Sequence, residues 1–325
     1  NGIWTYSLED IVGGVQSCYA DLRADIRKRT GEDPTTFGAI GVSAMMHGYL
    51  PLDKTGMPLA PFRTWRNTVT GEASEKLTEL FRFHIPQRWT IAHLYQSMLS
   101  GEEHVARIGY LTTLAGYVHW RLTGEKKVGL GEASGIFPLD CETLGYDAKM
   151  TKAFEALQET KKYPWCLADI LPEPVPAGEI AGYLTEAGAR FLDPTGTLQA
   201  GIPVAPCEGD AGTGMTATNS VRACTGNVSA GTSAFAMLVA DHPLGVHREV
   251  DMVTTPTGLP VAMVHCSNCT SDINGWVGLF SELAEAAGLP IDRGELYTLF
   301  FRKALEGDAD AGGLLSYNYF SGEGV

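Results

Sequence analysis

The sequence predicts an α/β protein of two domains, and three observations carry that reading. The chain has 325 residues, 44% hydrophobic and 19% charged, which is long enough for two ordinary domains each with its own core. Within residues 202–239, a short apolar run ends at Glu208-Gly209-Asp210 and continues in small residues to Gly214. This is the pattern of a buried strand that delivers one carboxylate to its tip before a helix starts. Two further apolar runs, 227–230 and 234–239, are joined by Gly231-Thr232-Ser233, a hairpin signal with glycine at the turn.

Near the start of the chain, Ser7-Leu8-Glu9-Asp10 resembles a capping box, after which Leu8, Ile11, Val12, Val15, Tyr19, Leu22 and Ile26 recur at helical spacing up to Gly31. That spacing predicts an amphipathic helix packed on a sheet. Residues 37–44 read as a buried strand, and Asp53-Lys54-Thr55-Gly56 as a turn. From 72 to 124 the pattern is helical, broken at Pro86 and near Ser100-Gly101, with 110–122 a buried helix closed by Thr123-Gly124. Residues 171–178 form a proline-rich connector; 261–266 read as a strand and 274–287 as a helix ended by Gly288.

Charge and cysteine content exclude several functions. A formal net charge of -14 supplies no basic face for nucleic acid or an anionic membrane surface. No run of 18 apolar residues appears and the first residues carry no basic segment followed by an apolar stretch, so the expected location is cytoplasmic. The 7 cysteines are odd in number and scattered, which predicts free thiols. Cys266 and Cys269 form a Cys-x-x-Cys pair without a second pair at metal-ligand spacing, so no metal ligands are assigned. His93, His104 and His119 lack an i, i+4 partner of ligating type and read as structural or surface residues.

The chemistry concentrates at Asp210. A carboxylate at a strand tip, followed by a turn of glycine and hydroxyl residues, suits phosphoryl transfer: the acid orients a hydroxyl nucleophile and backbone N–H groups hold phosphate oxygens. Taken singly, Gly209-Asp210 also reads as turn chemistry and the Gly-Thr-Ser segment as a plain hairpin turn. Together and in this order they resemble the domain junction of the FGGY carbohydrate kinases, members of the actin-like ATPase superfamily. Met46-His47-Gly48, the Trp65-Arg66-Asn67 segment, Trp120-Arg121-Leu122-Thr123-Gly124, Ala133-Ser134-Gly135 and the 314–323 segment extend the resemblance along the chain. One departure is Ala44-Met45, where xylulokinases carry Gly-Gln.

The resemblance implies two actin-like ATPase (ribonuclease H-like) domains with an interdomain cleft, the second domain incomplete. Residues 1–220 would be the sugar-binding domain without its first hairpin, and 221–325 the first part of the nucleotide-binding domain. It implies ATP-dependent phosphorylation of a hydroxyl of a ketose or polyol, with Asp210 as base. Met46, His47, Trp65, Arg66 and Asn67 would hold the sugar, and Gly231, Thr232 and Ser233 the ATP phosphates. Mg²⁺ would be positioned by a carboxylate of an N-terminal phosphate loop that this chain does not contain; the adenosine-binding part is likewise absent, so the chain by itself is expected to be inactive. Two alternatives are a non-catalytic sugar-binding or regulatory relative and a nucleotide-hydrolysing actin-like ATPase. The partner expected is a small sugar or polyol, with no nucleic acid or membrane, and a homodimer is left open.

Overall fold

The computed structural model describes residues 2–231, 234–242, 244–320 and 322. The chain divides into two compact units, one of residues 1–227 and 238–263 and one of residues 228–237 and 264–325.

The first unit begins with a short strand and then the helix Leu8–Thr30, as the spacing predicts. The Ser7 hydroxyl accepts the Asp10 N–H at 3.2 Å, satisfying one of the orphan donors of the first turn. Gly31 closes the helix in the left-handed conformation, φ 82°, donating its N–H to the Arg27 carbonyl at 2.8 Å. The buried face of this helix joins a core built around Leu50, Leu52, Phe62, Tyr110, Leu114 and Val204.

Two strand assignments differ from expectation. Residues 110–112 are not the start of a helix: Tyr110–Thr112 pairs antiparallel with Leu50–Leu52, Leu50 opposite Thr112 and Leu52 opposite Tyr110. The aromatic and β-branched residues here favour a strand once a partner edge is available. The helix starts later, at Leu114–Thr123, where Thr113 caps it and Gly124 ends it at φ 78°. The predicted strand at 37–44 shrinks to Ser43–Ala44 and an isolated bridge at Ile40. Gly38 and Gly41 explain this, since glycine offers a ladder no side chain to pack and costs more backbone entropy.

The breaks near Pro86 and Ser100-Gly101 do separate helices: Gly71–Phe81 ends before the first, and Thr90–Leu99 lies between the two. The apolar run leading to Asp210 forms two short strands, Pro203–Val204 and Glu208–Gly209. Pro206 lies between them and removes a ladder donor. Ser43–Ala44 and Glu208–Gly209 run parallel, Ser43 opposite Glu208 and Ala44 opposite Gly209. The helix Asp210–Ala217 comes directly after.

The strands Gly226–Ala230, Ala234–Val239, Asp251–Thr254 and Pro260–Cys266 form one sheet in which the fourth strand lies between the second and third. The division into units passes through three of these four strands. In the second unit, the helices Thr270–Ala286 and Arg293–Ala304 pack through Phe280 and Phe300, ring centroids 5.1 Å apart. The first begins four residues earlier than position 274 because Thr270 donates both its N–H, at 3.1 Å, and its hydroxyl, at 2.8 Å, to the Gly231 carbonyl. Among the described residues no helix is long and apolar enough to cross a membrane.

Leu52 is fully buried in the first unit's core. Leu52→Ala should cost about 2–5 kcal/mol, the transfer loss plus the cavity left behind, measured as a lowered midpoint in urea. An unchanged midpoint would show that the site collapses around the smaller side chain.

Candidate active site

Parallel pairing sets the centre of the candidate site. Two parallel strands emerge at the same end, so the segment after Ala44 and the residue after Gly209 meet there. Asp210 is solvent-exposed at the first position of its helix, where the N-terminal dipole favours an acid. Its Oδ1 accepts the backbone N–H of Met46 at 3.2 Å. A second tie, Ser43 Oγ to Thr213 Oγ1 at 2.9 Å, fastens the strand to the same helix.

Met-His-Gly has a backbone explanation. His47 is buried with φ 67°, and Gly48 comes next at φ 102°. A left-handed non-glycine residue costs on the order of 1–3 kcal/mol, and such strain persists only where the surroundings impose it. Here the chain must leave the Asp210 strand tip and turn into Leu50–Leu52 past the neighbouring strand Phe62–Arg63. A Cβ on Gly48 would lie 2.8 Å from the Arg63 carbonyl oxygen and 2.9 Å from the Phe62 ring, so only glycine fits. The His47 ring stacks on Trp89, centroids 6.3 Å apart at 19°. On another side the segment meets Gly135, whose absent Cβ would be 2.6 Å from His47 Nδ1 and 3.0 Å from Met46 Cε. The Ala133-Ser134-Gly135 segment is therefore a wall of the His47 site.

The Trp65 segment hangs from a buried ionic cluster. Arg63 donates to Ser97 Oγ at 3.1 Å and to Glu102 Oε1 at 3.1 Å, pairs with the second Glu102 oxygen, and lies 5.3 Å from the Tyr49 ring centroid. Burial pushes the Glu102 carboxyl up, but the bonds from Arg63 outweigh it and hold the group below its usual range. Tyr49 in turn meets His104 Nε2 at 2.8 Å. Beyond this anchor, Trp65 is half-buried and exposed Arg66 holds its guanidinium 5.1 Å from the Trp65 ring centroid. Asn67 is buried and its amide is engaged by main chain: Oδ1 accepts the Trp4 N–H at 2.8 Å, and Nδ2 donates to the Trp4 and Thr64 carbonyls, each at 2.8 Å. Its contacts shape the loop on which Trp65 and Arg66 stand. Burial pushes the imidazoles of His93 and His119 down to about 3 and about 4, so both are neutral structural residues.

Two glutamates were missed by sequence reasoning. Glu132 is fully buried beside Gly209, its Oε2 2.7 Å from the point where a Gly209 Cβ would stand. Glu208, also buried, accepts the backbone N–H groups of Gly131 at 3.2 Å and Glu132 at 2.8 Å. Burial pushes Glu132 up to about 8, with the charges of Glu208 and Asp210 adding to it, and pushes Glu208 up to about 7 against the pull of its two N–H donors. The available signal was a pair of acids flanked by glycines, Gly129 and Gly131 before Glu132, and Gly209 after Glu208.

Gly231 lies in the second unit, where its carbonyl accepts from Thr270. Thr232 and Ser233 lie outside the described residues.

The fold is the two-domain kinase fold of the actin-like ATPase type. Residues 4–216 match the N-terminal domain of the FGGY family of carbohydrate kinases and residues 226–325 its C-terminal domain. The chain belongs to that family. It is similar to the xylulose kinase of Rhodospirillum rubrum, with 18% identity and a TM-score of 0.73, covering 97% of this chain and 62% of that one. It also resembles the gluconate kinase of Lactobacillus acidophilus, with 16% identity and a TM-score of 0.72, covering 99% of this chain and 63% of that one. A third similar structure is the glycerol kinase of Plasmodium falciparum with ADP, with 15% identity and a TM-score of 0.65, covering 85% of this chain and 55% of that one. The chain thus spans less than two thirds of the length of these relatives. No curated protein matches it.

Glu102→Ala leaves the Arg63 guanidinium buried without its carboxylate. The expected loss is about 1.5–3 kcal/mol of stability, read from denaturant unfolding. A loss no larger than that of an ordinary surface substitution would show that Ser97 and Tyr49 suffice to hold Arg63.

Proposed function

We propose that this chain belongs to an enzyme that transfers the γ-phosphoryl group of ATP to a hydroxyl of a ketose or polyol. Family membership supports sugar phosphorylation in general. The similar solved structures are named for xylulose, gluconate and glycerol, all of which offer hydroxyl acceptors. The observation that carries the reading is the hydrogen bond from the Met46 N–H to Asp210. It joins the segment that the resemblance gives to the sugar with the carboxylate that it gives to the chemistry.

In this reading Asp210 orients the acceptor hydroxyl and takes its proton as the oxygen attacks the γ-phosphorus. The bond to the β,γ-bridging oxygen breaks and ADP leaves. Met46 and His47 line the acceptor site, with His47 held by Trp89. Trp65 supplies an apolar platform for the carbon face of the sugar and Arg66 hydrogen bonds beside it. Asn67 serves by fixing their loop. The Gly231 to Ser233 turn is assigned to the ATP phosphates, and the boundary between the sugar-binding and nucleotide-binding portions is placed at residues 220 and 221. Mg²⁺ in such sites is held by one or two carboxylates together with substrate phosphates and water. Among the described residues no group of three or more His, Cys, Asp or Glu could hold a metal ion.

Asp210→Asn in the natural full-length protein should lower turnover by about 10²–10⁴-fold while leaving sugar affinity nearly unchanged. The measurement is ADP release across a panel of ketoses and polyols. Near-normal turnover in the Asn variant would remove Asp210 from the chemical step. In the same assay His47→Ala and Trp65→Ala should raise the sugar KM far more than the ATP KM. Equal effects on both substrates, or none on either, would count against the sugar assignment.

A further inference from the structure

We propose that Glu132 is a positioning residue for Asp210: it must keep its proton for the strand tip that carries Asp210 to hold its place, and losing that proton disables the site. The proposal rests on the kinase reading above for its catalytic consequence, and on geometry for the proton.

Glu132 is fully buried, and among the described residues neither of its carboxyl oxygens has a hydrogen bond of ordinary geometry. A charged carboxylate in that state would carry most of its desolvation cost, relieved only in part by the Thr113 hydroxyl, whereas a neutral one carries far less. The neighbouring Glu208 differs: its two oxygens receive the N–H groups of Gly131 and Glu132 at 3.2 and 2.8 Å. It is packed so closely that a Cβ on Gly129 would lie 2.2 Å from Oε1 and one on Gly131 2.5 Å from Oε2. Of the two acids, Glu208 has the donors that support charge. The proton therefore falls to Glu132.

The position of Glu132 gives that proton a consequence. Its Oε2 abuts Gly209, the residue that links Glu208 to Asp210, at a separation that leaves no room for a side chain. The charged groups acting on Glu132 are Glu208 from the strand and Asp210 from the helix, both acidic. The Thr113 hydroxyl gives partial relief, while the Cys207 thiol and the buried Tyr146 phenol stand close enough for a charged Glu132 to push their pKa values up and keep them neutral. The His47 imidazole packs against Gly135, three residues along the chain from Glu132. Ionising Glu132 would put another negative charge among acids and a phenol, driving the Gly209-Asp210 tip away and taking the base out of position. The upward push of Glu132 to about 8 places this event on the alkaline side of neutrality.

Stability changes with pH in the same direction. The folded-state value lies above the ordinary glutamate value of 4.5, so the contribution of the protonated carboxyl is fully present below 4.5 and is lost as pH rises through about 8. Glutamine copies the neutral carboxyl and cannot ionise. The test compares the wild type, E132Q and E132A in the natural full-length protein, by turnover against pH and by melting temperature against pH. We expect wild-type turnover to fall about tenfold per pH unit on its alkaline limb, E132Q to lack that limb or move it upward, and E132A to be impaired at every pH. The melting temperature of E132Q should gain on the wild type as pH rises from 4.5 to about 8 and then level off. An alkaline limb identical in wild type and E132Q, or a melting difference that does not change with pH, overturns the proposal. A pH-dependent melting difference in a protein that phosphorylates no ketose or polyol would overturn the kinase assignment and still support the buried proton.

Discussion

The parallel pairing of Ser43-Ala44 with Glu208-Gly209 is the contact on which the candidate site depends. It is only two residues long on each side, yet it brings together segments separated by 164 positions, as the Met46 to Asp210 hydrogen bond records. A pairing this short has little ladder energy of its own. It is held by its surroundings: the Ser43–Thr213 hydroxyl contact, the glycine-lined packing of Glu208, and the core beneath Val204.

Close backbone approach is the means by which this region is built. Small residues at 129, 131, 135 and 209 are positions where a Cβ would run into Glu208, His47 or Glu132. The space that glycine leaves is filled largely by acids and an imidazole, with Met46 beside them. Packing energy is given up there for buried polar groups whose protonation depends on their neighbours. The strained backbone at His47 belongs to the same construction, since the turn it makes is what lets the following strand reach the core.

A separate ionic cluster supports the outer part of the site. Arg63, Glu102, Ser97, Tyr49 and His104 are tied by direct contacts, and Arg63 stands two residues before Trp65. The backbone around Arg63 also receives and returns hydrogen bonds with Tyr49, N–H to carbonyl at 2.8 and 3.1 Å. A buried cation held in this way restricts the loop that comes after it, so the ring of Trp65 and the guanidinium of Arg66 are presented from a fixed base.

The sequence by itself determined the elements whose signals are local. The long first helix with its Ser7 and Gly31 caps, the Asp53 to Gly56 turn, the hairpin strands either side of Gly231 and the helix closed by Gly288 all arise from capping, turn chemistry and periodicity that act over a few residues. It also marked Asp210 and Met46-His47 as candidate residues, which the fold joins through the Met46 N–H. Tertiary structure decided the features that depend on a distant partner. Residues 110–112 became a strand because Leu50–Leu52 offered an edge, and 37–44 lost most of its strand because glycines and a short partner gave the ladder nothing to hold. The bonds that tie the Asn67 amide to the main chain of Trp4 likewise depend on a residue that only the fold brings to it. The glycines flanking Glu132 and Glu208 mark them only faintly, because their ionisation is set by burial and by each other across 76 residues of chain, and only the folded packing brings those acids together.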